Sequence, residues 1–244
     1  MFKTLFQNQP IISNSVFLQS VFLIALLVLG KADPMAIVFA YIFETVIIGL
    51  IHVVKLFYVV AYNDPEKGKS KIIDYCSIPF FLIHYGAFVG IQSIIIYTGF
   101  AINDDRFSTS LSFSNFIDIL NLEGFNMVVF SIIVSHLFSF YFYFLKEKKY
   151  KNENLGAYMV KPYLRIFIQQ FLAIIPFFFL IFMDSVSVLA AVLLIIMRTI
   201  LDFYLAAIAK NPDKINKLAK RIISKNKPEE LSDIEQSLKV FFEE

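Results

Sequence analysis

One cysteine, no tryptophan and few charges are what the sequence is short of. Cys76 stands alone, which excludes an internal disulfide and a cysteine-rich metal site. The absence of tryptophan leaves tyrosine to anchor helix ends at any membrane surface. Only 17% of the 244 residues are charged and 58% are hydrophobic, whereas soluble domains carry roughly a quarter charged residues. A soluble core of this size cannot hide so much apolar surface. The chain also lacks an HExxH motif, a histidine pair at i, i+3 or i+4, a glycine-rich phosphate loop, a nucleotide fingerprint, a nucleic-acid module and any internal repeat. Ser135 beside His136 does not make a nucleophile and its base, because neighbours on a helix point about 100° apart.

What the chain has in their place is apolar runs near 20 residues. At about 1.5 Å per residue, such a run crosses a hydrocarbon layer of about 30 Å. The runs are Ser15 to Gly30, Met35 to Ala61, Ile78 to Ala101, Phe125 to Leu145, Tyr163 to Met183 and Val186 to Ile208. No small-residue cleavage pattern follows the first, so it reads as a retained span. The predicted fold is all-α: a polytopic transmembrane bundle of about six spans over residues 1–210, with an amphipathic helical tail over 211–244.

The basic residues order these spans. Of 22 lysines and arginines, 17 fall before the first span, in the loops around Lys69 and Lys149, or in the tail, while only Lys31 and Arg106 fall on the opposite face. The positive-inside rule therefore predicts a multi-pass inner-membrane protein with both termini in the cytoplasm. Tyr58, Tyr62, Tyr75, Tyr143, Tyr150, Tyr163 and Tyr204 fall near the predicted inner ends. In the tail, Ile215, Leu218 and Ile222 form a stripe flanked by Lys214, Lys217, Lys220 and Arg221, a pattern expected to lie on anionic inner-leaflet lipid. Ser232 and Glu235 fit a capping box for a second tail helix. In the longest outer loop, Leu111, Phe113, Phe116 and Ile117 predict a short surface helix covering the bundle.

Polar side chains within spans cost up to a few kcal/mol each and mark candidate sites. All three histidines are among them: His52, His84 and His136, in company with Glu44, Lys55, Gln92, Arg165, Gln169, Gln170, Arg198 and Asp202. Counting from the predicted inner ends at about 1.5 Å per residue places His84 and Asp202 roughly 9 Å deep and His52 and His136 roughly 14 Å deep. Glu44 lies deeper still, and Lys55 and Arg165 are near enough to the surface to snorkel. Arg198 and Asp202, at i and i+4, can pair. Gly86 and Gly90 form a small-xxx-small face expected to turn His84 toward protein.

Three accounts fit these residues. The plain one is that histidine, glutamine and the Arg198–Asp202 pair only bond neighbouring helices. A second is a metal or haem site, with His52, His84, His136 and Asp202 as candidate ligands, every one from a different helix. A third is a ligand or proton pathway through Glu44, His84, His136, Arg165, Arg198 and Asp202.

In chain order, Tyr41 to Gly49 (YIFETVIIG), Pro79 to Gly86 (PFFLIHYG), Ser135 to Phe140 (SHLFSF), Pro162 to Ile166 (PYLRI) and Arg198 to Asp202 (RTILD) resemble a family of prokaryotic multi-pass membrane proteins known only as a domain of unknown function. The resemblance covers most of the chain before the tail. It marks Glu44, His84, His136, Arg165 and Asp202 as matching positions, and it implies further histidines where this chain has Gln92 and Gln170. That family lends no activity.

The expectation is a membrane protein with a buried polar chamber shared by His84, His136 and Asp202, with Glu44 at its deeper end, which binds or moves a small solute, proton or metal ion. An intramembrane metal- or haem-dependent enzyme and a structural or partner-binding subunit are the alternatives. Nucleic acid is not an expected partner, and the lipid bilayer is. Reporter fusions should place the loops at Lys69 and Lys149 and the C-terminus in the cytoplasm and the Asp104 loop outside; an external C-terminus would overturn the depths above.

Overall fold

The computed structural model describes residues 11–63, 70–103, 105–108, 110, 113–151, 155–156, 158–163, 166, 187–209 and 211–222, with a few positions between 231 and 238. The elements are helical: α1 (Ile11–Val28), α2 (Pro34–Tyr62), α3 (Lys71–Asn103), α4 (Phe113–Leu120), α5 (Phe125–Ser139), α6 (Ser187–Ala209) and α7 (Pro212–Ile222). A π-helical turn, Phe140–Leu145, continues α5, and a 3₁₀ turn follows at Lys149–Lys151. Among the described residues, three helical stretches are long and apolar enough to cross a membrane: Pro34–Tyr62, Lys71–Gly99 and Phe125–Leu145. α1 falls at the expected first span and α6 at the expected last. Apart from Tyr163 and Ile166, the run expected from Tyr163 to Met183 lies outside the described residues.

α2 is the organising element and packs on α3, α5 and α6, while α1 lies against α5 and α6. Its start is set locally. Asp33 is in extended conformation, its carboxylate accepts from the Met35 N–H at 2.8 Å, and Pro34 fills the first helical position, where no N–H is needed. Arg106 grips the other carboxylate oxygen of Asp33 at 2.5 Å, and the Asp33 N–H donates to the Glu123 carbonyl at 2.8 Å, so one residue gathers three segments at this end. Gly124 is required beside it: its φ is +77°, and a Cβ would stand 2.4 Å from the Lys31 carbonyl oxygen.

Two apolar clusters divide the bundle along α2. One surrounds Ile37, Phe39, Leu23, Phe125 and Ile195; the other surrounds Leu56, Val59, Phe81, Tyr85, Phe144 and Tyr150. At the second end Tyr58 and Tyr62 stack and Tyr150 packs tilted against both, with ring centroids 4.8 Å apart for Tyr62 and Tyr150, and Asn63 donates to the Tyr150 carbonyl at 2.7 Å. The Lys71 ammonium donates to the Ala61 carbonyl at 3.1 Å. The C-terminal end of α2, the Lys71 end of α3 and the turn bearing Lys146 to Lys151 therefore meet. Tyr150 is buried in this contact, so it fastens α5 to α2 rather than resting at a surface.

Three sequence expectations are corrected here. Gly86 and Gly90 are exposed, with open space around both among the described residues. The close helix approach is at Gly49, against the Tyr85 ring on α3. Second, the α7 stripe is turned inward: Ile215 and Ala219 are buried and Leu218 half-buried, because α7 folds against α6 and Asn216 donates to Glu235 at 2.5 Å. The basic residues Lys214, Lys217, Lys220 and Arg221 are exposed. Third, Glu44, counted as lying deeper than His136, meets it directly, so depths counted along separate helices do not rank these residues. The short helix expected between the third and fourth apolar runs is present as α4, with Ile119 buried and the Phe116 ring 5.5 Å from Phe43. Ser232 of the expected capping box lies outside the described residues.

Gly49 supplies the test of this packing. Tyr85 cannot retreat, because it is buried and its hydroxyl donates to the Thr45 carbonyl at 2.7 Å. Gly49→Ala should therefore cost about 1–3 kcal/mol as overpacking, despite the better helix propensity of alanine. Gly86→Ala and Gly90→Ala should be neutral or slightly stabilising. Thermal unfolding in detergent measures the three; equal effects would refute the assignment.

Candidate functional site

Glu44 is fully buried on α2, where Phe43 and Ile47 on either side of it pack against the first apolar cluster. A carboxylate in that position is tolerated only with charged or hydrogen-bonding partners around it. Two other helices supply them. Arg198 of α6 donates from Nη2 to Glu44 Oε1, and His136 of α5 donates from Nε2 to the same oxygen at 2.6 Å. The guanidinium is held from two further sides. Its Nε lies 3.5 Å from Asp202 Oδ2 one turn along α6, and its carbon stands 4.5 Å from the centroid of the Tyr41 ring. Tyr41 is three residues before Glu44 on α2, the spacing that puts both side chains on one face. Planar, delocalised and weakly hydrated, guanidinium is the cation suited to a buried carboxylate on one edge and an aromatic face beneath.

The surroundings fix this geometry. The Thr45 hydroxyl is buried and donates back to the Ile42 carbonyl at 2.5 Å, while its backbone carbonyl accepts from Tyr85. Ser20 of α1 and Thr199 of α6 share a 2.7 Å hydrogen bond beside Arg198 in sequence, which ties α1 to the helix that carries the guanidinium. His136 sits one turn before the π-helical segment, and the Phe140 N–H donates to its carbonyl. π-Helical turns occur often beside functional groups.

The sequence candidates are thus distributed unequally. Glu44, His136, Arg198 and Asp202 come together. His84 does not join them: it is exposed on α3, its Nδ1 is 2.8 Å from the Tyr163 hydroxyl, and its ring lies between Phe80 and Phe88. His52 is buried elsewhere, stacked on Tyr158 at 4.9 Å and packed on Phe81. Eight residues separate it from Glu44, or about 12 Å along α2. Among the described residues no three of histidine, cysteine, aspartate and glutamate come together as a metal set. Gln92 is buried on α3 and Lys55 half-buried with its ammonium 5.6 Å from the Phe144 ring. Arg165, Gln169 and Gln170 lie outside the described residues.

Residues 9–219 match a family described as a family of unknown function, DUF6498. The chain belongs to this family. No curated protein and no solved structure matches the chain. The matched stretch of this DUF6498 chain contains every member of the Glu44 centre and ends inside α7. Sequence reading of the DUF6498 chain paired Arg198 with Asp202 but missed Tyr41 and the Glu44–Arg198 contact. The signal for Tyr41 was its i, i+3 position before Glu44; nothing local pointed from Glu44 to Arg198, which is 154 residues away.

The pairing sets an order of stabilities for the DUF6498 chain. Arg198→Leu leaves two carboxylates at one site and should cost about 3–5 kcal/mol. Asp202→Leu should cost less, because Glu44 keeps its guanidinium, and Glu44→Leu with Arg198→Leu together should be milder than Arg198→Leu alone. Thermal unfolding of the purified variants decides this; a double variant worse than either single one would show that the groups do not compensate each other.

Proposed function

We propose that this chain spans the inner membrane six times with both termini in the cytoplasm, and that its Glu44–His136–Arg198 centre takes up and releases a proton as a small solute or ion is bound or moved. One observation carries the reading: the fully buried Glu44 carboxylate holds a guanidinium and an imidazole on the same oxygen. Arg198 brings one positive charge, and Glu44 and Asp202 one negative charge each. A single proton on His136 makes the set neutral. In a low-dielectric bundle a net charge is the expensive state, so proton binding and charge balance are one event here. Imidazole is also the side chain that exchanges protons near neutral pH.

A proton suits this centre better than a metal ion. The guanidinium already on Glu44 repels a second cation, and the remaining histidines stand apart from it. The orientation in the membrane is supported by the meeting of the C-terminal end of α2 with Lys71 and with the turn bearing Lys146 to Lys151, and by the exposed basic face of α7. That basic face fits the anionic inner leaflet by charge alone, since the apolar side of α7 packs on protein.

Purified protein in liposomes with an internal pH-sensitive dye tests the proposal. Under an imposed potassium diffusion potential, wild type should acidify or alkalinise the lumen according to the sign of the potential. Glu44→Gln and His136→Asn should fall to the level of protein-free liposomes, with Gly86→Ala as a folded control that keeps the response. Proton movement unchanged in Glu44→Gln would overturn the proposal, and a silent wild type over a range of gradients and candidate solutes would leave the ion pairs a packing device.

A further inference from the structure

His84 is the histidine that the bundle leaves on its outside. It stands on Lys71–Gly99, one of the stretches apolar enough to cross a membrane, and it is exposed there in company with exposed Phe80, Ile83, Phe88 and Ile91. Between Lys71 and Arg106 the sequence has no lysine or arginine, so α3 brings this face no permanent cation. In a bilayer, an exposed imidazole amid apolar side chains is costly unless both of its nitrogens are satisfied.

One nitrogen is satisfied. The Tyr163 hydroxyl lies 2.8 Å from Nδ1, and Tyr163 is itself held by the buried rings of Phe81 and Tyr85, with centroids 5.8 Å and 6.0 Å away. A count of protons sets the direction of that bond. Were Nδ1–H the donor, the phenol O–H would have no acceptor among the described residues and the Nε2 lone pair no donor. With the phenol donating to Nδ1, a single group is left over, the N–H on Nε2. The ring therefore presents a donor on the edge turned away from Tyr163. Aromatic surface flanks it: the Phe80 ring lies nearly parallel to the imidazole, 13° between planes at 5.4 Å, and the Phe88 ring stands across it at 84° and 5.1 Å. Both phenylalanines are one turn from His84 on α3, so all three rings share a face.

A metal ion would need the lone pair that Nε2–H does not offer, and an anion would lie on this face with no cation of α3 to balance it. A neutral carbonyl oxygen on a flat apolar ring answers the donor and the aromatic surface together. We propose that His84, Tyr163, Phe80 and Phe88 form a lateral binding site for a lipid-soluble quinone, whose carbonyl accepts from His84 Nε2 and whose ring packs on Phe80 and Phe88. Tyr163 positions the imidazole and fixes its tautomer. The site is independent of the proton centre, since it uses none of the residues around Glu44.

Comparing one ring with and without its carbonyls reads the proposal directly. Purified full-length protein in nanodiscs of ether-linked lipid, which has no ester carbonyl, is titrated calorimetrically with dimethylnaphthoquinone and with dimethylnaphthalene. After correction for partition into the lipid, the quinone should bind about tenfold more tightly, the worth of one hydrogen bond. His84→Leu should erase that preference, and His84→Phe serves if the leucine variant does not fold. Glu44→Gln should leave it unchanged. Because the chain has three histidines, isotope labelling of histidine nitrogen resolves their rings by magnetic resonance. The His84 Nε2 signal, identified by its loss in His84→Leu, should move with the quinone and not with the hydrocarbon. Tyr163→Phe should shift the His84 Nδ1 signal and reduce the preference for quinone. An Nε2 signal that moves when ether lipid is exchanged for ester lipid, but not with quinone, would assign the donor to phospholipid carbonyls and overturn the proposal. Absence of quinone binding, equal affinity for the two ring compounds, or a preference that survives in folded His84→Leu would overturn it as well.

Discussion

A carboxylate buried as completely as that of Glu44 must have its partners delivered to it, and in this chain they come from two helices far away in sequence. Arg198 and His136 both converge on Oε1, which fixes the axial register of α5 and α6 against α2 more strictly than apolar contacts can. Apolar side chains slide past one another at modest cost, whereas a shared carboxylate oxygen has a few productive directions. The Tyr41 ring and Asp202 then confine the guanidinium, so it cannot satisfy Glu44 from another position. α2 lies at the centre of the bundle for this reason as much as for its hydrophobicity.

The rest of the packing holds that register from both ends. Asp33 caps α2 and ties it to Arg106 and Glu123, while Tyr58, Tyr62, Tyr150 and Asn63 bind its opposite end to the turns after α5. Between them Gly49 lets Tyr85 reach the α2 backbone, which brings α3 close without placing a charge at the contact. The contacts of Glu44 with His136 and Arg198 form a polar layer that crosses α2, α5 and α6. The π-helical turn after His136 adds a local departure from regular helix next to the imidazole, in the segment that the aromatic contacts of Tyr58 with Phe140 and Phe144 hold in place.

Much of the architecture was legible because helix-length apolar runs leave few alternatives. α2 starts one residue before the predicted span, and α5 with its π-turn ends at Leu145, as the hydrophobic pattern indicates. The family resemblance was legible too, from short stretches such as YIFE and RTILD that carry the costly residues. Grouping those residues was harder. His84 was placed with His136 and Asp202 on the strength of similar counted depth and of Gly86 and Gly90, but the glycines face open space and the imidazole is exposed beside Tyr163. Depth along one helix says nothing about its rotation, and Glu44 meets His136 although the two count to different depths.

The sequence by itself determined the helical class, the approximate limits of the apolar helices, the identity of the expensive polar residues and the local Arg198–Asp202 pair, because hydropathy, charge and i, i+4 spacing are properties of neighbours along the chain. Which of those residues share a site was decided by the tertiary structure alone. Glu44 meets His136 and Arg198, His52 meets Tyr158, and the apolar side of α7 meets protein, because helix rotation and register follow from many packing contacts between segments up to 154 residues apart, and no local pattern encodes them.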